Sequence, residues 1–363
     1  MSAENQLNQS DKYLKEMVPL IIEERKKTGL HDLVGGLECV IINTESDRQK
    51  SAVEELLRYT GLEFTEAYQD SDYKTYVLKT YGSADFLIRS RRHEKNPFST
   101  FNIFPKSGHL PNTRLETFVF HTTDIKSYVE IQKSRGVTFL TDDIIHNDKF
   151  SFIQTTPSIY TGNSLGFIQW KDERGKYATA ESEILNLQLR KPEKDYLDNI
   201  KELDHAATRV KSADRDSAII EFMKFTNYNF QFAVYVETLN SITSVARLSD
   251  KDYAMVFTSG ISSYVSDEAS GPTEKFIHNY GVRVHHIAFN TDNIEYTFSA
   301  LKEDGLDFLS ELVGSPDEGL KQAFSVASKN TILVNEYIHR YGDFDGFFTK
   351  SNVTLLTEAT SKQ

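Results

Sequence analysis

Cysteine is nearly absent from this chain of 363 residues: Cys39 stands alone, so no intramolecular disulfide can form. No apolar run approaches the roughly 20 residues that span a membrane. Basic residues are outnumbered, with 41 Lys and Arg against 53 Asp and Glu and a formal net charge of -12. Such a chain is poorly suited to bind nucleic acid or an anionic membrane. Because a basic-then-apolar leader is also missing, we expect a cytoplasmic protein.

Several catalytic motifs are missing as well. The sequence has no Gly-rich phosphate loop, no Ser-centred nucleophile elbow and no paired-cysteine zinc spacing. The length of 363 residues suggests about two domains, and 39% hydrophobic residues are enough to form their cores.

Hydrophobic periodicity divides the chain into three parts. Residues 1–34 have apolar side chains at helical spacing and predict one amphipathic helix packed on the body. Residues 35–190 and 200–363 each alternate strand and helix patterns, and a charged tract at 171–194 connects the two halves.

The second half repeats the first. The segment from Leu115 to Ile125 aligns with the segment from Val284 to Ile294, and the helix after each ends at a glycine, Gly136 or Gly305. We therefore predict that the halves arose by duplication.

Three strand-like segments of the second half carry possible metal ligands. His205 lies in the segment from Leu203 to Val210, His286 in that from Val282 to Asp292, and Glu336 in that from Thr331 to Ile338. Two histidines and one carboxylate on one side of a metal are the ligand set of non-haem Fe(II) oxygenases. A buried Glu336 needs compensation, either from a metal or from an Arg partner.

The internal repeat gives each candidate ligand a counterpart. On the sequence alignment, His205, His286 and Glu336 correspond to Cys39, Thr117 and Gln169. These counterparts do not form an imidazole-rich shell, so we expect a metal in the second half alone. The alignment also selects His286 over His285, which strand alternation directs to the opposite face, where we expect a structural role.

These segments resemble the vicinal oxygen chelate superfamily, and the second half resembles its 4-hydroxyphenylpyruvate dioxygenase and hydroxymandelate synthase group. The resemblance rests on Leu203-Asp204-His205, Leu239-Asn240-Ser241, Arg283 to Ala288, Gln322-Ala323-Phe324, Glu336 and Gly342-Asp343-Phe344. It implies an α+β fold of two tandem modules built of duplicated βαβββ units, each a curved, open, barrel-like sheet, with N- and C-terminal helices.

The resemblance also implies an activity: Fe(II)-dependent oxidative decarboxylation of a 2-oxo acid by dioxygen, coupled to hydroxylation. Ser241 and Gln322 would face substrate, and Phe324 would stack on it. The aromatic residues near the C-terminus would cover the pocket; they are Phe344, Phe347 and Phe348.

The sequence departs from the group at positions near substrate. Arg283-Val284-His285 replaces Gly-Val-Gln, Thr258-Ser259-Gly260 replaces Pro-x-Asn-Glu-Pro, and Ser325-Val326-Ala327 replaces Thr-Lys-Pro. The reaction class is therefore better defined than the substrate, for which 4-hydroxyphenylpyruvate is the leading candidate.

Two alternatives stay open. The His-x-Ala-Phe element at 286–289 is shared with extradiol ring-cleaving dioxygenases, although Gln322 and the aromatic C-terminal segment argue against them. A non-catalytic small-molecule-binding protein of the same fold is the other. The expected partners are a 2-oxo acid and dioxygen, and a homo-oligomer is possible.

Overall fold

The computed structural model describes residues 3–342, 344 and 346–363, with side chains from residue 11 onward. The first half begins with a long helix and continues as one sheet with two covering helices. Its elements are α1 (Ala3–Thr28), β1 (Val34–Asn43), α2 (Gln49–Tyr59), β2 (Glu63–Gln69), β3 (Tyr73–Lys79), β4 (Asp85–Arg91), β5 (Arg114–Thr122), α3 (Ile125–Ser134), β6 (Ile145–His146), β7 (Phe150–Gln154), β8 (Ser164–Trp170) and β9 (Glu183–Ile184).

The second half repeats this succession and ends in a helix. Its elements are β10 (Ile200–Arg209), α4 (Arg215–Phe225), β11 (Asn229–Val236), β12 (Ser241–Arg247), β13 (Ala254–Ser259), α5 (Pro272–Tyr280), β14 (Arg283–Thr291), α6 (Ile294–Glu303), β15 (Val313–Ser315), β16 (Leu320–Phe324), β17 (Val334–Arg340) and α7 (Lys350–Ala359).

The two sheets have matching strand orders. The first runs β6-β7-β8-β5-β1-β4-β3-β2-β9 and the second β15-β16-β17-β14-β10-β13-β12-β11. In both, the central pair is antiparallel and is flanked by parallel neighbours. The tandem α+β fold predicted from the sequence is confirmed, and β9, from the connecting tract, extends the first sheet beside β2.

Strand register corrects one detail of the internal alignment. Cys39 and Thr117 occupy the places of His205 and His286, as expected, because each pair has matching partners across the β1–β5 and β10–β14 ladders. The counterpart of Glu336, however, is Gly166, since Val119 pairs with Gly166 as Ala288 pairs with Glu336. The alignment of Glu336 with Gln169 was wrong by three residues.

One apolar core connects the halves. Amphipathic helices such as α2, which buries Ala52, Val53, Leu56 and Leu57, cover the outer faces of the sheets. Across the halves, Phe86 stacks on Phe289 with ring centroids 5.9 Å apart, and Phe120 meets Tyr228 at 5.4 Å. The inner face of each sheet encloses a separate interior.

Equivalent arginines also join the halves. Arg114 donates to the carbonyl oxygen of Val282 at 3.1 Å, and Arg283 donates to that of Thr113 at 2.6 Å. Both side chains are buried. The contact is reciprocal, as expected for two related units.

The predicted N-terminal helix is present as α1, although residues 1 and 2 of that prediction lie outside the described residues. It packs on α4 and β11 of the second half. Arg25 donates to the carbonyl oxygen of Tyr228 at 2.7 Å and to Asn229 Oδ1 at 2.9 Å. Across the described part of the chain, no helix combines the length and apolar character needed to cross a membrane.

Candidate metal centre

Three side chains converge inside the second sheet. His205, His286 and Glu336 lie on the adjacent strands β10, β14 and β17, and all three are buried. Glu336 Oε2 is 3.1 Å from His205 Nε2 and 3.2 Å from His286 Nε2. One potential ligand atom from each residue falls within 4.8 Å of the others. The structure thus brings together the three residues that the sequence singled out.

Strand register explains the convergence. Ala288 on β14 pairs with His205 on one side and with Glu336 on the other, so both side chains flank the same small residue. His286 lies two positions along the strand and points to the same face as Ala288. A larger residue at 288 would fill the space between the ligands.

The donor atoms suit a divalent metal. His205 Nε2 is fully buried and has no hydrogen-bond partner among the described atoms, although the Glu336 carboxylate lies beside it. Burial lowers the pKa of His205, but Glu336 and Asp204 outweigh burial and raise it to about 9. Without a metal, a proton on His205 would therefore compensate Glu336. Two imidazole nitrogens and one carboxylate oxygen with an open side fit Fe(II).

Asp204 orients the first imidazole. Its Oδ1 lies 2.7 Å from His205 Nδ1, and Arg340 binds both carboxylate oxygens at 2.6 and 3.1 Å. Burial opposes ionisation of Asp204, but Arg340 and His205 outweigh it and lower the pKa of the carboxyl group. An ionised Asp204 accepts the Nδ1 proton and leaves Nε2 free to bind metal.

Gln322 orients the carboxylate. Its amide nitrogen donates a short hydrogen bond to Glu336 Oε1, which leaves Oε2 facing both imidazoles. Its amide oxygen accepts from Asn352 Nδ2 of α7 at 3.0 Å. Gln322 thus contacts the ligand itself, in addition to lining the neighbouring cavity.

His285 differs from expectation. It lines the same cavity as His286, and the two Nδ1 atoms are 2.8 Å apart. The ladder between β10 and β14 shifts register here, with Ala207 opposite His286 and Thr208 opposite Val284. This bulge interrupts strict alternation and brings His285 beside its neighbour. The prediction that His285 points to the opposite face was wrong.

His286 is connected through His285 to Gln363, the last residue of the chain, by two polar contacts. His285 Nε2 lies 2.8 Å from Gln363 Oε1. Burial lowers the pKa of both imidazoles well below the usual value, so both are neutral at pH 7. If Gln363 accepts from Nε2, His285 Nδ1 accepts from His286 Nδ1, and His286 Nε2 is then free to bind metal.

A cavity of about 50 Å³, room for a few water molecules, lies beside the triad. Of the residues predicted to contact substrate, Ser241, Gln322, Phe324 and Phe348 line it. The Phe324 ring centroid is 4.7 Å from that of His286.

Two other aromatic residues lie outside the cavity lining. Phe347 packs 5.4 Å from the His205 ring, and Phe344 packs on the cluster of Ala288, Leu320 and Ile338. Asp343, quoted in the sequence comparison, lies outside the described residues.

Sequence reasoning singled out Gln322 as a substrate-facing residue, but it did not identify Asp204, Asn352 or Gln363 as contacts of the candidate ligand network. Asp204 stood in the Leu203-Asp204-His205 motif, and its place next to a candidate ligand was the available signal. Asn352 and Gln363 gave no signal, because their contacts depend on how the C-terminal segment folds back.

Comparison with known proteins was informative only at the level of structure. No protein-family model and no curated protein sequence matches the chain. A variant of 4-hydroxymandelate synthase from Streptomyces coelicolor superposes with a TM-score of 0.65 and 16% identity, over 91% of this chain and 98% of that one.

Two further solved structures are similar. A fusion of a xylose isomerase-like TIM barrel with 4-hydroxyphenylpyruvate dioxygenase matches with a TM-score of 0.63 and 13% identity, over 91% of this chain and 53% of that one. A Mn(II)-bound glyoxalase from Novosphingobium aromaticivorans matches with a TM-score of 0.50 and 10% identity, over 87% and 86%. The chain therefore has the vicinal oxygen chelate fold.

Proposed function

We propose that this chain is a non-haem Fe(II) dioxygenase that acts on a 2-oxo acid, with His205, His286 and Glu336 as the metal ligands. The observation that carries the proposal is the buried convergence of these three side chains next to a cavity. The names of two structural neighbours, 4-hydroxymandelate synthase and 4-hydroxyphenylpyruvate dioxygenase, support the reaction class. By analogy, the reaction is oxidative decarboxylation coupled to hydroxylation, as in 4-hydroxyphenylpyruvate dioxygenase.

In this reaction the protein would position the metal ligands and the substrate. His205, His286 and Glu336 lie on three adjacent strands of one sheet, so a metal held by them would keep coordination positions for other molecules. Fe(II) bound there would offer coordination positions to the 2-oxo acid and dioxygen and would supply the electron for dioxygen activation. Asp204, His285 and Gln322 fix the orientation of the ligands through hydrogen bonds.

Substrate would occupy an enlarged form of the cavity. Ser241 would donate or accept a hydrogen bond, and Phe324 would pack on the substrate skeleton beside His286. Gln322 would keep the carboxylate ligand in place while its side chain forms part of the wall. Because the cavity holds only a few water molecules in this structure, we expect α7 or Phe348 to shift when a substrate binds.

The test is metal content and oxygen uptake. We expect the purified protein to bind one Fe(II) and, with a panel of 2-oxo acids that includes 4-hydroxyphenylpyruvate, to consume dioxygen and release carbon dioxide. Turnover of catechols in place of 2-oxo acids would identify an extradiol enzyme. Iron binding without any oxygen uptake would identify a binding protein, and no metal binding would refute the proposal at its first step.

We further propose that Phe348 and α7 shield the metal from water, with Phe344 and Phe347 packing behind them. Deleting the whole segment from Gly342 onward would also remove Asn352 and Gln363, which contact the ligand network. A point variant is therefore a cleaner test.

Phe348→Ala should lower the ratio of hydroxylated product to dioxygen consumed while leaving iron content unchanged, because an open cavity admits water. Leu355→Ala, on the exposed side of α7, is the matched control. Unchanged coupling in a folded, iron-loaded Phe348→Ala protein would contradict the shielding role.

A further inference from the structure

Arg209 is a buried cation without a carboxylate partner. It lies on β10, on the same face as His205 and Ala207, and lines the cavity beside the triad. Only 4% of its surface is exposed. Its contacts are one hydrogen bond of 3.3 Å from Nη1 to the carbonyl oxygen of Pro272 and the face of the Phe276 ring, 4.5 Å away. No Asp or Glu oxygen of the described residues lies within 4.0 Å of its nitrogens.

Arginines on these sheets are stabilised in two ways: some pair with acidic side chains, whereas the buried Arg114 and Arg283 donate to backbone carbonyl oxygens of the other half. Arg91 pairs with Glu116 at 2.5 Å, and Arg340 pairs with Asp204 at 2.6 Å. Glu274, buried on the helix that packs against Arg209, instead accepts hydrogen bonds from the backbone nitrogens of Ser212 and Gly260. Burying an unpaired guanidinium is expensive, and this cost is recovered when an anion binds beside it.

The surroundings of Arg209 suit an anion. Strand register places Thr243, Thr258 and Arg209 in one row across β12, β13 and β10, and all three line the cavity. Ser241 and Thr273 add two more hydroxyl groups. Hydroxyls and a guanidinium all donate hydrogen bonds, so this end of the cavity can bind a carboxylate.

The charged side chains of the cavity indicate which ligand charge it can neutralise. Among the described residues that line the cavity, Glu336 is the only carboxylate and Arg209 the only cation. Their charges cancel, and the pair of Asp204 and Arg340 is likewise neutral. A divalent metal therefore leaves two uncompensated positive charges, which a ligand with two negative charges would neutralise.

We propose that Arg209 forms a carboxylate-binding subsite and that the substrate is a dianionic 2-oxo acid, with its keto-acid end at the metal and a second carboxylate at Arg209, Thr243 and Thr258. This inference rests on the function proposed above and narrows it. 4-Hydroxyphenylpyruvate carries a single negative charge at pH 7, so it would leave Arg209 unpaired. The row containing Arg209 is four residues along β10 from His205, a rise of roughly 13 Å between the two Cα atoms, and Arg209 lines the same cavity as His286 and Glu336.

The test compares matched ligands on the metal-loaded protein. Co(II)-loaded wild-type protein is titrated, by calorimetry and by its absorption spectrum, with 2-oxoglutarate and 2-oxopentanoate, and with 4-carboxyphenylpyruvate and 4-methylphenylpyruvate. We expect the dianion of at least one pair to bind about 10- to 100-fold more tightly than its monoanionic partner, the usual effect of a charged hydrogen bond. Arg209→Gln should abolish this difference and leave binding of the monoanions within about threefold.

Two further variants keep the result interpretable. Arg209→Lys should retain part of the preference for the dianion, because it keeps the charge and loses the planar fork. Arg247→Gln removes one positive charge from the same sheet but from outside the cavity lining, and it should not alter the preference. Metal stoichiometry reports whether each variant is folded around its ligands.

The outcomes separate the two proposals. If dianion and monoanion bind equally in both pairs, or if Arg209→Gln weakens both members of a pair equally, the subsite is overturned and the Fe(II) function stands. If none of the four ligands perturbs the Co(II) spectrum, the proposed function falls and the subsite falls with it.

Discussion

The two sheets have the same backbone arrangement, but different side chains fill their interiors. In the second half, His205, His286 and Glu336 surround a space that a metal fits. In the first, the same three places hold Cys39, Thr117 and Gly166. Phe152 takes the position of Gln322, and a Cβ atom on Gly166 would lie only 2.9 Å from its ring.

The first interior is therefore a packed apolar core. Phe152 joins a cluster of buried residues in the space where the second half has its cavity; the cluster includes Cys39, Ile41, Tyr68, Val77, Leu87, Val119, Ile168 and Tyr177. The same fold accommodates either interior, so a few inward-facing side chains determine whether a half has a candidate metal site.

Some supporting features are kept in both halves. Glu38, the counterpart of Asp204, accepts from Trp170 Nε1 at 3.1 Å and from Arg174 Nε at 2.6 Å. The bulge of β14 also recurs in β5, where Ile41 lies opposite Thr117 and Ile42 opposite Leu115. An acidic residue before the first of the three places and a bulge at the second are thus common to both halves.

The largest effect is expected from replacing a candidate ligand, compared with replacing its counterpart in the first half. His286→Ala should lower Fe(II) affinity by more than about 100-fold, since loss of a ligand exceeds the roughly 10- to 100-fold cost of losing an outer contact. Thr117→Ala should leave the affinity unchanged. Metal analysis after equilibrium dialysis measures both. Equal loss from the two variants would mean that the site is shared between the halves.

A smaller effect is expected from the acidic residues that precede His205 and its counterpart Cys39. Asp204→Asn should lower metal affinity by about 10- to 100-fold, because the Nδ1 atom of His205 loses an ionised acceptor. Glu38→Gln should leave metal affinity unchanged, since its contacts are Trp170 and Arg174. Metal titration with a competing chelator provides the comparison. Identical affinities for Asp204→Asn and wild type would remove Asp204 from the site.

A third comparison separates packing from ligand orientation. Phe152→Ala should lower the free energy of unfolding by about 2 kcal/mol, less than for a fully buried Phe because the ring is partly exposed, and should not affect metal binding. Gln322→Ala should instead weaken metal binding by about tenfold, because Glu336 loses its donor. Denaturant unfolding and metal titration of both variants would show whether one loses stability and the other loses metal affinity. A Phe152→Ala protein that lost metal would contradict the independence of the halves.

The smallest effect concerns the single thiol. Burial raises the pKa of Cys39 far above its usual value, so the thiolate is not formed at pH 8. A disulfide reagent should label no thiol in the native protein and one thiol after denaturation. Rapid labelling of the native protein would indicate an open interior in the first half, like that of the second.

The fold and the convergence of the three candidate ligands could be predicted from the sequence, because both follow from strand patterns. It was insufficient where local backbone departs from those patterns. Ile332 has a φ of 62°, like Gly162 at 67° in the first half. A β-branched residue rarely adopts this conformation, so nothing in the sequence indicated that Ile332 aligns with Gly162. The three-residue error at Glu336 followed.

The predicted orientation of His285 was wrong for a related reason. Alternation is a property of regular strands, and a bulge adds a residue that the pattern does not announce. Nothing in the strand-like segment from Leu203 to Val210 singled out Arg209, because its contacts, Pro272 and Phe276, come from a helix distant in sequence.

The C-terminal segment contacts two of the three ligand candidates through intermediaries. Asn352 reaches Glu336 through Gln322, and Gln363 reaches His286 through His285. A movement of this segment would therefore disturb both contacts at once. Because coupling between sites is reciprocal, we expect a metal bound by these residues to stabilise the segment in turn. Amide hydrogen exchange in residues 350–363 should then slow as the metal site is filled.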